Sequence, residues 1–216
     1  MIKFRNLEGW VIEHEMSFFR SYLNDIEQAL KDESAKLKQD WEALKKEEDP
    51  DDHEDCLIER NYELRQHFGV FYSSFIITIF SFVEHELDRI CSTFSVRNKS
   101  KIVLRDMHGK GIQRAKLFME KVCNFTLPEE NLWEKLEQIN EIRNHLIHSG
   151  GEINSDKRSL IDYIKNLGET KIKIEEDIAA KINRIEITKG YCSFVVGITE
   201  EYLLTLIDKN VQGERW

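Results

Sequence analysis

The longest uncharged stretch of the chain covers residues 68–83 and lies inside a segment with helical periodicity. Apolar residues between Cys56 and about Phe94 cover more than half of a helix circumference at about 100° per residue. The uncharged stretch is shorter than the roughly 20 residues that span a bilayer, and four of its residues are serine or threonine. It therefore predicts a central, buried helix rather than a membrane span.

Few positions in the chain break a helix, since its 216 residues include only 2 prolines. A chain of this length with 41% hydrophobic residues fits a single domain, 1–216, with a substantial core. The fold class that we predict is all-α, an up-and-down helical bundle. The periodicity predicts helices over about 8–46, 56–94, 113–123, 129–148, 155–167 and 189–208. Ser155 is the expected N-cap of the fifth helix, and Gly168 is expected to end it.

Two charged segments separate the predicted helices. Residues 47–55 are acidic and include Pro50, which predicts an exposed loop between the first two helices. Residues 97–109 form a basic connection that ends in glycine, with cations at Arg97, Lys99, Lys101, Arg105 and Lys110.

Two short segments alternate strictly between apolar and polar residues, at 171–175 and 184–188. This alternation predicts a small β-hairpin inserted near 171–188. Ile178, Ala179 and Ala180 between the two segments leave a short helical turn as the alternative.

The overall charge and the cysteines limit the function and the compartment. A formal net charge of -9 argues against a general nucleic-acid coat, although it leaves room for a local basic groove. The four cysteines are widely spaced without a C-x-x-C pair, which predicts buried thiols in a reducing, cytoplasmic protein. The N-terminus lacks an apolar signal core, and we expect neither membrane insertion, a metal nor a cofactor.

The stretch from Glu141 to His148 places an arginine, an asparagine and two histidines just before Gly150 and Gly151. On a helical wheel, Arg143 falls near the middle of an apolar face that is made of Leu132, Leu136, Ile139, Leu146 and Ile147. An unpaired buried guanidinium costs several kcal/mol. Arg143 should therefore have an acidic partner, line a cleft or lie at a subunit interface.

A polar strip lies beside this apolar face. Asn140, Asn144 and His148 follow one another at intervals of four residues, so they share one side of the helix. His145 points the other way, toward Glu141, and is expected at the surface. On the central helix, Glu86 falls inside the apolar arc and needs a partner.

Arginine, asparagine and histidine together suit a phosphodiester. Arginine donates two hydrogen bonds to phosphate oxygens, and histidine exchanges protons near neutral pH with a ribose 2′-hydroxyl or a leaving 5′-oxygen. The alternative is a structural helix end with Arg143 in an intrachain ion pair. A second arrangement of the same kind, Arg60-Asn61 followed by His67, has no terminating glycine, and we interpret it as coincidence.

The segment Arg143-Asn144-x3-His148 resembles the Arg-x4-6-His signature of HEPN domains (higher eukaryotes and prokaryotes nucleotide-binding). The apolar segment 75–87 is similar to the long helix that precedes this signature in the family. The resemblance covers about 60–205, with the N-terminal helix 8–46 as an additional or variable part, and the alternating segment looks like an insertion.

The resemblance implies a helical domain that forms a homodimer with a composite active site between two copies of the motif. Many members are metal-independent RNA endonucleases of toxin–antitoxin, abortive-infection or CRISPR-linked defence systems. Arg143, Asn144 and His148 would then form the active site and leave 2′,3′-cyclic phosphate ends. Glu84 matches the family's acidic position, whereas the wheel favours Glu86, and both are candidates for orienting Arg143.

Other members of the family are not catalytic. The alternative function is therefore a helical dimerisation module that binds a nucleotide or a partner, such as the product of a neighbouring gene. The net charge of -9 and the few basic groups near the motif in sequence favour this alternative.

Overall fold

The computed structural model describes residues 7–45 and 51–210, which form six α-helices and a three-stranded antiparallel sheet. The helices are α1 (Leu7–Leu44), α2 (Asp51–Arg97), α3 (Gly111–Phe118), α4 (Glu130–Ser149), α5 (Arg158–Leu167) and α6 (Lys189–Asn210). The strands are β1 (Glu152–Asn154), β2 (Ile172–Asp177) and β3 (Ile182–Ile187). The predicted fold, mostly α-helical with a small β insertion, is confirmed.

The α2 helix is the centre of the bundle and contacts α1, α3, α4 and α6. One of its faces lies in the core through side chains that are at most 2% exposed: Phe75, Ile76, Ile79, Phe80, Val83 and Leu87. Among the described residues, α2 is the one helix long and apolar enough to cross a membrane, and 33% of its most apolar window is buried in the fold. The core of the fold is organised around α2.

The predicted acidic loop is wrong over residues 51–55, which already belong to α2. The preceding positions, 46–50, lie outside the described residues. Acidic groups near the start of a helix interact favourably with the positive end of the helix dipole, so an acidic run does not exclude a helix.

The small sheet follows the end of α4. Its strand order is β1-β3-β2, with both pairs antiparallel. The predicted hairpin is confirmed as β2 and β3, and residues 178–180 form its turn rather than a helical turn. The alternation did not reveal β1, because three residues are too few to show a period of two.

The start of α5 differs from the prediction. The helix begins at Arg158, and its N-cap is Lys157 without a side-chain cap. Ser155 instead accepts a hydrogen bond from Asn183 Nδ2 at 3.1 Å, which links it to β3. The hydroxyl is therefore used by the sheet and is not available to the helix, whereas Gly168 does end α5 as predicted.

The third predicted helix is divided. α3 ends at Phe118 and continues as a π-helical turn, Met119–Cys123, which stops at Asn124 in the left-handed region (φ 53).

Three of the cysteines are buried, as predicted: Cys91, Cys123 and Cys192. Cys56 is exposed, because it lies on the outer side of the first turns of α2, and the prediction is wrong there.

Candidate active site at the end of the fourth helix

The buried side of α4 determines which motif residues face the core. Its buried residues are Leu132, Trp133, Leu136, Ile139 and Ile142. Ile147, predicted on this face, is 43% exposed, and Leu146 is partly buried. Ile147 lies about 140° around the helix from the fully buried Ile142, which places it at the solvent edge.

Arg143 is paired inside the protein. Its side chain is 18% exposed, and Nη2 donates a hydrogen bond to Glu84 Oε2 at 3.1 Å. Nη1 donates to Asn144 Oδ1 at 3.0 Å, and the guanidinium carbon lies 5.5 Å from the centre of the Phe80 ring. The acidic partner expected for a mostly buried arginine is therefore present, and it comes from α2.

Glu86 has a different partner. It is 4% exposed and accepts hydrogen bonds from Arg89 Nε and Nη2 at 2.9 and 2.7 Å. Arg89 also donates to Glu8 at 2.5 Å. Burial lowers the pKa of Arg89, but the two carboxylates outweigh burial and raise that pKa overall. Glu86 needs a partner as predicted, but the hypothesis that it orients Arg143 is wrong, because it points about 200° away from Glu84 around α2.

Gly111, the first residue of α3, lies against the Glu84 carboxylate. Its φ of +50 is in the left-handed region, and a Cβ built on it would lie 2.6 Å from Glu84 Oε1. The backbone at this point therefore leaves room for the carboxylate that holds Arg143. In the sequence, Gly111 is only a glycine just after the basic connection, and nothing indicated its contact with Glu84.

His148 lies one turn beyond Asn144 on the same side of α4 and is exposed. Its side chain makes no hydrogen bond or ion pair with any residue in the described ranges. The structure thus brings Arg143, Asn144 and Glu84 into direct contact and leaves His148 beside them, open to solvent at the end of the helix.

His145 has a structural role. The prediction that it faces solvent near Glu141 is wrong, because His145 is partly buried with Nδ1 3.0 Å from the Glu152 carbonyl oxygen. A carbonyl only accepts, so Nδ1 carries the proton. Ser149 Oγ donates to the same carbonyl at 2.7 Å, and Glu141 pairs with Lys157 at 3.2 Å. His145 therefore fixes β1 to the end of α4.

The similar arrangement on α2 is a set of structural contacts. Arg60 donates to Asp40 and Glu33 on α1 at 2.9 and 3.0 Å. His67 is exposed in the middle of α2. Two carboxylates from another helix explain Arg60, in agreement with our interpretation of this second arrangement as coincidence.

A groove of about 1150 Å³ opens beside the end of α4. Leu146 and Gly150 line it from α4, residues between Tyr62 and Ser74 line it from α2, and β2 and β3 form the other wall. Its nearest α4 residues are within two positions of His148 in the chain. His148 itself is not among the residues that line the groove, and it points about 200° around α4 from Leu146. The groove therefore opens on a different side of the helix from His148.

The residues in the described ranges contain no group of three or more histidine, cysteine, aspartate or glutamate side chains arranged to hold a metal ion. A comparison of the chain with protein-family models, curated proteins and solved structures found no match. The evidence for a function therefore comes from the site itself: a fixed guanidinium with an amide, and an exposed imidazole one turn away.

Proposed function

We propose that the protein is a HEPN-like, metal-independent RNA endonuclease in which His148 transfers protons, Arg143 binds the reacting phosphate and Asn144 orients Arg143. The observation that carries this proposal is the Arg143 side chain, held by Glu84 and Asn144 at the edge of the core beside an exposed His148. The two hydrogen bonds restrict the guanidinium, so little ordering remains when a phosphate binds.

The reaction follows from these groups. The imidazole of His148 removes the proton of a ribose 2′-hydroxyl, and the oxygen attacks the adjacent phosphorus. Negative charge grows on the non-bridging oxygens, where donors of Arg143 stabilise it. The bond to the 5′-oxygen breaks, that oxygen takes up a proton, and the upstream product ends in a 2′,3′-cyclic phosphate.

The proposal includes a homodimer with a composite site and a cytoplasmic role in a toxin–antitoxin or antiviral defence system. Ile147 supports an interface, because it is 43% exposed and directly precedes His148. Two copies that bury Ile147 would bring two His148 side chains close together, one as the base and one as the acid. Light scattering tests this arrangement by comparing the molar mass of the wild-type protein with that of Ile147→Asp.

A non-catalytic module that binds a partner or a nucleotide is the second candidate. It is favoured by the Arg143–Glu84 pair, since a guanidinium that already has a carboxylate partner attracts a phosphate less strongly. Exposed apolar side chains on α1 also fit a partner-binding surface, with Trp10 at 56% and Phe18 at 60% exposure.

One experiment separates the two candidates. Purified protein is incubated with total RNA in EDTA, and the rate of cleavage is measured for wild type, His148→Ala, Arg143→Lys and His67→Ala. The nuclease proposal predicts cleavage by wild type and His67→Ala, with a loss of at least about 100-fold in His148→Ala. Equal rates in His148→Ala and wild type, or cleavage only after a divalent ion is added, would contradict it.

A further inference from the structure

The segment 97–110, which is the last residue of α2 and the connection to α3, concentrates positive charge in a protein of formal net charge -9. We refer to it as the cationic loop. Its single acidic residue is Asp106, and its cations, all exposed, are Arg97, Lys99, Lys101, Arg105 and Lys110.

These five cations lack partners within residues 7–45 and 51–210, since none of their side chains forms a hydrogen bond or an ion pair there. Other cations on the surface do have partners, for example Arg60 with Asp40 and Arg184 with Glu152. Asp106 accepts a hydrogen bond from the Val103 backbone N–H at 2.9 Å and pairs with no cation. The loop therefore keeps its full positive charge.

The backbone of the cationic loop is anchored. Leu104 is 8% exposed and packs in the core, and residues 104–106 form a 3₁₀ turn. Ser100 Oγ donates to the Ile102 carbonyl at 2.7 Å. The cationic side chains therefore project from an ordered backbone segment. They repel one another whether or not an anion is bound.

The loop ends at the candidate active site. Lys110 directly precedes Gly111, which lies against the carboxylate that holds Arg143. The other end of the loop starts at Arg97, thirteen residues along α2 from Glu84, or about 20 Å at 1.5 Å per residue. The two ends of the loop are thus separated along α2 by a distance that several nucleotides span, and the end at Gly111 is the one next to the Arg143 partner.

We infer that the cationic loop binds the phosphate backbone of a single-stranded RNA whose reacting bond lies at Arg143 and His148. This inference rests on the proposed nuclease function. A polyanion is favoured by the unpaired charges, and RNA is favoured over DNA because His148 needs a 2′-hydroxyl. Continuity with Arg143, a group suited to phosphate, favours RNA over an acidic protein segment.

The test compares two double variants of the full chain that remove equal charge. Lys101→Gln/Arg105→Gln changes the loop, and Lys36→Gln/Lys38→Gln changes the exposed surface of α1 near Leu37, which packs with Leu57 and Leu64 at the opposite end of α2. Both are made in a His148→Ala background. Fluorescence anisotropy then measures the binding of a labelled 12-nucleotide single-stranded RNA between 50 and 200 mM KCl.

The loop variant should bind several-fold more weakly at 50 mM KCl. Its plot of log K against log salt concentration should be shallower by about 1.4, because each lost contact with a single strand reduces the slope by about 0.7. The α1 variant should match the parent. Equal affinities and slopes in the two double variants would overturn the inference.

Two further measurements separate this inference from the function on which it rests. A poly-glutamate peptide that binds the loop as tightly as the RNA does would overturn the assignment in favour of an acidic protein partner. If the loop variant binds RNA more weakly but the wild type cleaves no RNA, the nuclease proposal is refuted and the loop remains an RNA-binding surface. If the wild type cleaves RNA and the loop variant cleaves it with the same rate and KM, RNA binding by the loop is refuted and the nuclease proposal stands.

Discussion

Arg143 on α4 donates a hydrogen bond to Glu84 on α2 over 3.1 Å, across 59 positions of the chain. The pair joins the two helices that carry the candidate site, and it determines where the guanidinium points. Because the Arg143 side chain is only 18% exposed, this carboxylate also compensates for much of its loss of hydration.

Removing the charge of Glu84 should affect both stability and activity. Glu84→Gln leaves Arg143 with a neutral partner, and we expect a loss of about 1–2 kcal/mol in the free energy of unfolding, less than for a fully buried pair. RNA cleavage should fall as well, because Arg143 is less well oriented. Urea denaturation and the cleavage assay in EDTA measure the two effects.

Glu86→Gln is the matched control, since it weakens a buried pair on the same helix. It should destabilise the protein through Arg89 and leave the cleavage rate per folded molecule unchanged. A control that lowers cleavage as much as Glu84→Gln does would show that Glu84 acts only through stability.

Gly111→Ala should destabilise the protein in two ways. An alanine at φ +50 is strained, and its Cβ would clash with Glu84 Oε1, so we expect a cost of about 1–3 kcal/mol. Gly150→Ala provides the comparison, because Gly150 has φ +61 and no atom within 4 Å of its Cβ position. In a Glu84→Ala background, the cost of Gly111→Ala should drop to that of Gly150→Ala. A cost that stays unchanged there would show that the carboxylate is not what Gly111 accommodates.

Glu27 should make stability depend on pH. Burial raises the pKa of this carboxyl, but Lys189 and Lys31 outweigh burial and lower its pKa overall. The pKa of Glu27 is thus lower in the folded than in the unfolded chain. The ionised carboxylate therefore stabilises the fold above the unfolded-state pKa of about 4.3, and this stabilisation is lost as the pH falls through the folded-state pKa.

Thermal unfolding at pH 7 and pH 3.5 measures this contribution. The Tm of the wild type should fall more between these pH values than the Tm of Glu27→Gln, which lacks the titrating group. Glu42→Gln, at an exposed pair with Lys45, should behave like the wild type. An equal Tm shift in wild type and Glu27→Gln would be inconsistent with the buried pair.

The four thiols should differ in reactivity. Burial raises the pKa of Cys123 to about 12 and raises the pKa values of Cys91 and Cys192 further, which disfavours their reactive thiolate forms. Cys56 is exposed. Intact mass after iodoacetamide treatment at pH 8 should show one modified cysteine in the folded protein and four in urea, and Cys56→Ser should show none when folded.

Helical periodicity was enough to predict the bundle and its central helix, because α2 and α4 each bury a regular face. It also placed Arg143 on a face where a partner was necessary. It did not identify that partner, since the choice between Glu84 and Glu86 depends on how α2 and α4 pack, and the wheel favoured the more buried of the two.

Other features depend on contacts between distant parts of the chain. Gly111 approaches Glu84 only because the connection after α2 folds back along that helix. His145 is partly buried only because β1 forms next to it, and β1 is too short to recognise in the sequence. The free charges of the cationic loop became informative once the fold placed Gly111, the residue after Lys110, against the carboxylate of the Glu84–Arg143 pair.

The chemical form of the RNA end is the most direct test of the central claim. Wild-type protein is incubated in EDTA with an RNA of defined sequence, and the 3′ end of the upstream product is identified by mass spectrometry. Proton transfer by His148 with Arg143 on the phosphate predicts a 2′,3′-cyclic phosphate, and a single 2′-deoxy substitution at the cleavage position should abolish that product. A 3′-hydroxyl end, cleavage of the deoxy-substituted RNA, or a requirement for a divalent ion would contradict the proposed mechanism.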